Sequence, residues 1–385
     1  MSTTTARSSP TIDQQEPRIY VGTEAFKQAL TEVTRLIPQR PDLPVCNGVL
    51  LRCTRDTLIV TAGSQWEGIS RHIARSGAGL PDVLVDARML RNLVAKHQRR
   101  GETALTLDRS WVNVEQGRTH ARLLALPIED YPAPPPAPRS GHRITTDHLA
   151  AIANNVATAA DTRKGAHPPV LADVKIEADD TSLRAVATDG RRTAVLEAPV
   201  TPVGAAEPFD VTVSAAVFRH IAAPTARHDD ETMIAVDNQH LLFAAPSTTS
   251  HTLLTDNGGF PDCQTSLGEA PSIAVTIDRD ALIKELKIIT SIAGPDDTVR
   301  LDAVGDRIHL EISNDNARGE SSIPSTGTTE PLTAELHHAK LTELLRKLSP
   351  GPITLAIDPK QGPTQFTSPH QPGLWHLLSP AASSS

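Results

Sequence analysis

The chain has 385 residues, which is enough for two or three domains of ordinary size. Its formal net charge of -8 excludes a protein that coats nucleic acid with basic residues over its whole surface, although basic residues could still gather on one face. Aromatic residues make up only 3% of the chain, so we expect cores built from aliphatic side chains.

Two connectors rich in proline, glycine and serine divide the chain, at residues 131–141 and 265–272. They separate three segments of similar length, which we predict to be domains. The predicted domains cover residues 18–135, 142–265 and 272–380. The polar residues 1–17 and 381–385 are expected to be disordered tails.

Each segment begins with a stretch whose apolar residues recur at helical spacing. These residues are Phe26, Leu30, Val33 and Ile37 in the first segment, Leu149, Ile152 and Val156 in the second, and Leu282, Leu286, Ile289 and Ala293 in the third. Thr23, Thr146 and Asp278 stand at the predicted N-cap positions. The pattern therefore predicts an amphipathic helix at the start of each segment.

A predicted hairpin follows each helix, with strands on either side of a short polar turn. The turns are Arg55-Asp56, Asp179-Asp180 and Gly305-Asp306. A short strand, a second amphipathic helix and further strands complete each segment, so every domain is a doubled helix-strands unit. This predicts an α+β fold whose similar units close into a ring or continue as a filament. From the repeat alone, three ordinary tandem α+β domains explain the pattern equally well.

Basic residues concentrate on the predicted helices, largely off the apolar stripe. A solvated helix face explains any single helix, but the recurrence at one repeat position favours a shared basic surface. Such a surface would hold phosphates by charge and read no bases. The cations concerned are Lys27, Arg35, Arg88, Arg91, Lys96, Arg99, Arg100, Arg219, Arg227, Lys284, Lys287, Lys340, Arg346 and Lys347.

Short motifs at matching spacing carry a family resemblance. They are RPDLPV from Arg40, LPIEDYP from Leu126, VATDGRR from Val186, GFPD from Gly259 and LLSP from Leu377. In this order, and over residues 18–380, the chain resembles the bacterial DNA polymerase III β subunit, the β sliding clamp family. Each motif alone is weak, and their combination on a threefold repeat is specific.

The resemblance implies three tandem copies of the DNA-clamp domain and a head-to-tail dimeric ring, with helices inside and sheets outside. It implies a homodimer that encircles double-stranded DNA regardless of sequence. The implied protein partners are the replicative DNA polymerase, the clamp loader and repair proteins, which bind through short linear peptides. The family has no catalytic site and needs no cofactor or metal, and we expect a cytoplasmic protein.

The resemblance also implies where DNA is contacted. Arg40 and Arg88 match positions that touch DNA in the family, and Arg163 lies beside another such position. There this chain has an insertion, residues 164–168, that departs from the family pattern. The predicted DNA-binding residues are Arg40, Arg88, Arg163, Lys164, Lys284 and Lys287.

The family binds partner peptides in a pocket between its second and third domains, and the match there is partial. The predicted pocket residues are Leu171, Thr188, Gly190, Arg191, Arg192, Thr193, Pro261, Leu377 and Pro380. Arg191 stands where histidine is common, Thr193 replaces a leucine, and Ser379 replaces a methionine. Such changes remove apolar contact area and predict a weaker or altered pocket. The alternative function is therefore a specialised clamp paralogue with a non-housekeeping replication, repair or resistance role.

An enzyme is the main contrasting class. The sequence contains no HExxH, P-loop, GxGxxG or GxSxG motif, and its three cysteines lack metal-ligand spacing. His337 and His338 are adjacent, so on a helix they would not share a face. No run of about 18 apolar residues occurs, and we expect no membrane association.

A third alternative is a clamp-fold protein that binds partners but does not close on DNA. The expected ring interface comprises a strand around residues 119–124 and a helix around residues 288–292. Ala121 is small where a large apolar residue would strengthen this contact.

Overall fold

The computed structural model describes residues 17–37, 43–163, 165–261, 274–327, 331–357 and 362–381. The chain divides into two compact units, one of residues 1–135 with 246–249 and the other of residues 136–245 with 250–385. The predicted connector at 265–272 lies outside the described residues. The boundaries of the three predicted domains therefore stay a prediction.

Six α-helices occur within the described residues, and each directly follows a strand. They are Thr23–Val33 (α1), Ala87–Lys96 (α2), Thr146–Ala151 (α3), Ala215–His228 (α4), Arg279–Ile289 (α5) and His338–Leu345 (α6). α3 continues as a π-helical segment, Ile152–Val156, so the second predicted helix changes its winding rather than ending. The predicted apolar stripes are buried, as Phe26, Leu149 and Leu282 with 0% exposure illustrate.

Strands make up most of the remaining structure. In the first unit they are β1 Arg18–Gly22, β2 Gly48–Cys53, β3 Thr57–Gly63, β4 Glu67–Gly77, β5 Val83–Asp86, β6 Glu102–Asp108, β7 Trp111–Gln116 and β8 Thr119–Leu126. The strands up to residue 253 are β9 Gly141–Thr145, β10 Asp173–Ala178, β11 Ser182–Thr188, β12 Arg192–Pro199, β13 Thr201–Val203, β14 Phe209–Ser214, β15 Glu231–Val236, β16 His240–Ala245 and β17 Thr248–Leu253. The last strands are β18 Ala274–Asp278, β19 Thr298–Val304, β20 Arg307–Ser313, β21 Arg318–Pro324, β22 Leu332–His337, β23 Pro352–Ala356, β24 Thr364–Thr367 and β25 Leu374–Leu378.

The strands of the first unit form a closed circuit of antiparallel neighbours. Their order is β1-β6-β7-β8-β5-β2-β3-β4, and β4 pairs back with β1. β4 can do both because it is long: residues 68–74 pair with β3 and residues 75–77 pair with β1. α1 and α2 pack beside each other, and α1 also packs against β3 and β4. One ion pair is buried here, with Arg71 Nε 3.1 Å from Glu32 Oε2.

The second unit contains a sheet shared by its two repeats. Its order is β14-β10-β11-β12-β25-β24-β23-β18, and β12 pairs antiparallel with the C-terminal strand β25. A four-stranded sheet, β21-β20-β19-β22, belongs to the last repeat. α5 and α6 share an apolar core with the strands of this repeat, including Leu286, Leu301, Leu344 and Ile353.

The helix starts differ from the predicted caps by one residue in two cases. Gly22 and Thr145 occupy the N-cap positions of α1 and α3, where Thr23 and Thr146 were predicted. Thr23 and Thr146 are buried instead, and Thr146 Oγ1 donates a hydrogen bond to Asp229 O at 2.6 Å. Asp278 is confirmed as the cap of α5, because its Oδ1 accepts from Ala281 N at 2.7 Å.

Candidate functional site

The turn between β11 and β12 is a rigid corner in which side chains bond the backbone. Thr188 Oγ1 donates to Arg192 O at 2.8 Å, and Asp189 Oδ1 accepts from the backbone N–H groups of Arg191 and Arg192, both at 3.0 Å. Gly190 has φ +83°, which is the left-handed region that favours glycine. The motif Thr-Asp-Gly-Arg-Arg is therefore explained locally by turn chemistry.

An ionic cluster ties this corner to α6. The side chain of Asp189 is 7% exposed and lies 2.7 Å from Lys340 Nζ and 3.2 Å from Arg192 Nε. Arg192 Nη1 in turn lies 2.8 Å from Glu343 Oε1. Burial alone would raise the pKa of Asp189, but hydrogen bonds from Lys340 and from the backbone of Arg192 and Arg191 hold it below its usual value.

The C-terminal strand brings the end of the chain to the same corner. Arg192 lies opposite Leu378, and Thr193 lies opposite Leu377, in the β12–β25 pairing. Beyond the strand, Ser379 N donates to Arg191 O at 2.8 Å, and Ala381 N donates to Glu335 O at 2.9 Å. The segment after β25 is therefore attached to both repeats of the second unit.

Together these elements enclose a groove of about 490 Å³. Its lining residues are Gly190, Arg191, Asp296, Thr298, His337, Lys340, Leu378, Ser379, Pro380 and Ala381. We refer to this cavity as the C-terminal groove. Most of its lining side chains are polar or charged, and the apolar ones are Leu378, Pro380 and Ala381.

The predicted pocket residues fall into three groups. Gly190, Arg191 and Pro380 line the C-terminal groove itself. Thr188, Arg192, Thr193 and Leu377 form the corner and strand pairing behind it, and Leu171 Cδ1 approaches to within 3.9 Å of where a side chain at Gly190 would begin. Pro261 is exposed and does not line the groove. Their role as a peptide pocket stays a prediction.

Sequence reasoning missed four lining residues: Thr298, His337, Lys340 and Leu378. The interpretation of His337 and His338 as helix neighbours was wrong, because His337 ends β22 and His338 begins α6. Their rings stack with centroids 5.7 Å apart at an interplanar angle of 15°. A strand-to-helix junction at His337, signalled by the alternating pattern of β22, would have revealed this arrangement.

The helices of the first unit present exposed cations. Arg88 on α2 is exposed, while Ala87, Leu90 and Val94 form the buried side of that helix. Arg91 makes a contact within the unit instead, since its Nη1 donates a hydrogen bond to Thr34 Oγ1 at 3.2 Å. Further exposed cations of this unit are Arg35, Lys96, Arg99 and Arg100.

In the second unit, Lys284 and Lys287 are exposed on α5. Arg163 is also exposed, but its guanidinium donates to both oxygens of Asp161, at 2.8 and 2.6 Å. These hydrogen bonds lower the pKa of Asp161 to about 2, so the pair stays ionised and part of the Arg163 charge is neutralised. The predicted DNA-binding residues Arg40 and Lys164 lie outside the described residues.

Across the parts of the chain that the structure describes, no cluster of three or more His, Cys, Asp or Glu side chains is arranged to hold a metal ion. None of the described helices combines the length and apolar character needed to cross a membrane.

Comparison with known proteins finds relatives of this chain among the sliding clamps. The family model described as DNA polymerase III beta subunit, N-terminal domain, matches residues 18–135. A curated beta sliding clamp of Micrococcus luteus is 22% identical over 311 residues, which cover 80% of this chain and 99% of that protein. The protein named beta sliding clamp homolog GriR, from Streptomyces muensis, is 23% identical over 337 residues, covering 86% of this chain and 88% of that protein.

Solved structures have the same fold. The sliding clamp of Pseudomonas aeruginosa, crystallised with griselimycin, superposes with a TM-score of 0.84 at 18% identity. That match covers 95% of this chain and 100% of the other. The α+β clamp fold predicted from the sequence is confirmed.

Proposed function

We propose that this chain is a member of the family of bacterial DNA polymerase III β subunits, the β sliding clamps, and that two copies close head to tail into a ring around duplex DNA. Its function is that of a DNA sliding clamp, which tethers the replicative polymerase and other partners to DNA and so confers processivity. The observation that carries this conclusion is the match of curated relatives and of the fold along most of the chain, together with the family model over residues 18–135.

The proposed ring contact involves β8 of one copy and α5 of the other. Among the described strands, β8 pairs with β7 over residues 119–124 and with β5 only at Ala125 and Leu126, so the rest of its outer edge is free. Leu124 on this strand is 53% exposed. Ile288 on α5 is 56% exposed and Ile292, just beyond α5, is 39% exposed. These apolar surfaces support an interface, because large exposed aliphatic residues usually mark binding sites when they cluster.

The proposed DNA-binding residues are the cations Arg40, Arg88, Arg163, Lys164, Lys284 and Lys287. Of these, Arg88, Lys284 and Lys287 are exposed on helices, and no carboxylate within the described residues forms an ion pair with them. Point charges on helix surfaces attract phosphates without reading bases. Weak contacts of this kind suit a ring, because topology rather than affinity retains it on DNA.

The ring acts without a catalytic site of its own in this proposal. Its chemistry is limited to charge attraction for DNA and to peptide binding in the C-terminal groove. Because the DNA that it encircles is chromosomal duplex, we place the protein in the cytoplasm.

The test uses DNA topology. The protein is loaded onto nicked circular plasmid with a bacterial clamp loader and ATP, and bound protein is separated by gel filtration. We expect it to elute with the circle and to dissociate once a restriction enzyme linearises the plasmid. Equal retention on linear and circular DNA, or none on either, would contradict the ring.

A second candidate function is that of a specialised clamp paralogue with altered partners. The small side chains of the C-terminal groove favour it, because Ser379, Thr298 and Ala381 each offer little apolar area to a peptide anchor. Each large apolar contact removed from such a groove costs on the order of 1–3 kcal/mol of binding.

Fluorescence anisotropy with a labelled peptide carrying the family's usual clamp-binding motif separates the two functions. Binding in the low micromolar range would identify a general processivity clamp. No binding at about 100 µM would identify a paralogue with its own partners.

A further inference from the structure

The C-terminal groove presents several charged groups to a ligand. Of its lining side chains, Arg191, Asp296, His337 and Lys340 carry or can carry charge. Leu378 is 1% exposed, so it offers almost no surface to a ligand. An apolar anchor entering the groove would have to desolvate these charged groups.

The cations of the groove differ in whether a carboxylate of the protein already forms an ion pair with them. Lys340 is bound to Asp189 at 2.7 Å, within an ionic cluster that is balanced by Arg192 and Glu343. Arg191 is exposed, and no carboxylate among the described residues lies within ion-pair distance of its guanidinium. Its backbone is anchored on both sides, by Asp189 and by Ser379 N, so its position is set in advance.

His337 provides a second, independent sign of a missing partner. Its Nδ1 is buried, and no hydrogen-bond partner reaches it within the described residues. Burial lowers the pKa of His337, and the neighbouring His338, Arg191 and Lys340 lower it further, against the opposing effect of Asp296. The imidazole thus lies beside the cations Arg191 and Lys340, where a nearby anion would be stabilised.

We propose that the C-terminal groove binds an acidic peptide segment, with a carboxylate side chain of the partner engaging Arg191 beside His337. The inference rests on the proposed function, because it takes the groove to be the site for partner peptides. It departs from an apolar anchoring mode and instead selects partners by charge. Lys340 adds to the electrostatic attraction for the carboxylate, whereas the negative charge of Asp296 repels carboxylates that approach from its side of the groove.

Binding of the acidic segment should take up a proton. The groups that face His337 are Arg191 from the β11–β12 corner, His338 and Lys340 from α6, and Asp296 from the segment before β19. A bound carboxylate offsets the charges of Arg191 and Lys340 and favours the imidazolium form of His337. Affinity for the acidic peptide therefore rises as pH falls from about 8 to about 6, by several-fold.

The experiment is an anisotropy titration with labelled peptides of about ten residues that carry the family's clamp-binding motif. Each position is replaced in turn by Glu and by Gln, so that size is kept and only charge changes. We expect at least one position at which the Glu peptide binds about ten-fold tighter than the Gln peptide. R191Q should abolish that preference, and H337Q should abolish its pH dependence.

R307Q is the matched control, because Arg307 is an exposed arginine of β20 outside the groove. Equal binding of Glu and Gln peptides at every position, or a preference that survives R191Q, overturns the inference. Absence of binding by all peptides at about 100 µM overturns it as well. The plasmid experiment is independent of the groove, so a protein retained on circles without a Glu preference contradicts this inference and not the clamp function.

Discussion

At the residue scale, the stability of each unit depends on a few polar groups inside the cores. Glu32 on α1 and Arg71 on β4 form an ion pair whose side chains are each 5% exposed. Removing one partner of a buried pair takes away the counter-charge of the other, which costs more than the intact pair contributes.

E32Q should therefore destabilise the first unit by about 3 kcal/mol. Urea denaturation of the wild type and the variant measures the difference in free energy of unfolding. D82N is the matched control, because Asp82 pairs with Arg52 at 2.7 Å with side chains 38% and 47% exposed. That exposed pair should contribute less than about 1 kcal/mol. Similar destabilisation of the two variants would show that burial does not govern the Glu32–Arg71 pair.

His376 on β25 should make the stability of the fold depend on pH, and the sign of this dependence follows from its pKa. Burial, together with the charges of Arg192 and Lys347, lowers its pKa to about 4. Above a pH of about 6.5 the imidazole is neutral in both folded and unfolded chains and has no effect. As pH falls below that value, only the unfolded chain takes up the proton, so folding becomes less favourable until the folded pKa is reached.

Between about pH 7 and about pH 5 this group should cost the fold about 2 kcal/mol. The measurement is the free energy of unfolding of wild type and H376L at both pH values. Since other groups titrate equally in the two proteins, the stability of the variant should fall by about 2 kcal/mol less than that of wild type over this interval. A pH dependence that is identical in both proteins would rule out His376 as its source.

At the element scale, the second unit depends on the junction of β12 with β25. The turn that leads into β25 contains Gly373, whose φ is +76°. A Cβ at this position would collide with the backbone carbonyl oxygen of Glu197, whose own N–H donates to Gly373 O at 2.8 Å. Glycine is required here for both conformation and space.

G373A should destabilise the second unit by roughly 2–4 kcal/mol, because the turn must move away from β12. G305A separates the two causes, since Gly305 has φ +62° but a Cβ added to it would meet no other atom within 4 Å. This second variant should be destabilised by only about 1 kcal/mol, the cost of a left-handed alanine. Thermal unfolding followed by circular dichroism compares the two, and equal destabilisation would show that the close approach to Glu197 is unimportant.

At the scale of the whole molecule, the proposed ring depends on apolar residues that single-chain folding leaves exposed. L124K and I288K each place a charge in the proposed interface between two copies. Each should raise the dimer dissociation constant at least about ten-fold, because a large aliphatic contact contributes about 1.5–3 kcal/mol. Sedimentation equilibrium over a concentration series measures the constant.

V304K is the matched control for the ring contact, because Val304 is also 53% exposed but lies at the end of β19, outside the proposed interface. It should leave the dimer unchanged. A wild-type protein that stays monomeric at tens of micromolar would favour a clamp-fold protein that does not close.

The charge of the helices gives a further prediction at this scale. The double variant K284E/K287E should weaken binding to short duplex DNA uniformly across sequences, and it should lower the salt slope by about one for each phosphate that is no longer neutralised. Filter binding at several salt concentrations measures the slope. R307E changes an exposed cation on β20, outside the helices, and should leave the slope unaltered. A sequence-dependent weakening would contradict pure charge attraction.

The sequence by itself determined the elements of this fold. Apolar spacing placed α1, α3 and α5, and polar turns placed the hairpins, because these signals arise from side chains a few residues apart. The family motifs could identify the clamp fold because they are local as well. The turn from Thr188 to Arg192, for example, is specified by its own hydrogen bonds. The N-caps of α1 and α3 lie one residue before the predicted positions, because the side chains of Thr23 and Thr146 make tertiary contacts instead.

Only the tertiary structure decided which side chains meet in the C-terminal groove. Lys340 and Asp189 are separated by 151 residues in the chain, yet they lie 2.7 Å apart. No local period or spacing reports such a contact, because it follows from the pairing of β12 with β25 and the docking of α6 on the β11–β12 corner. His337 and Lys340 are therefore part of the site because the repeats pack against each other. Their effect on the charge of the groove and on the choice of ligand is a property of the folded unit alone.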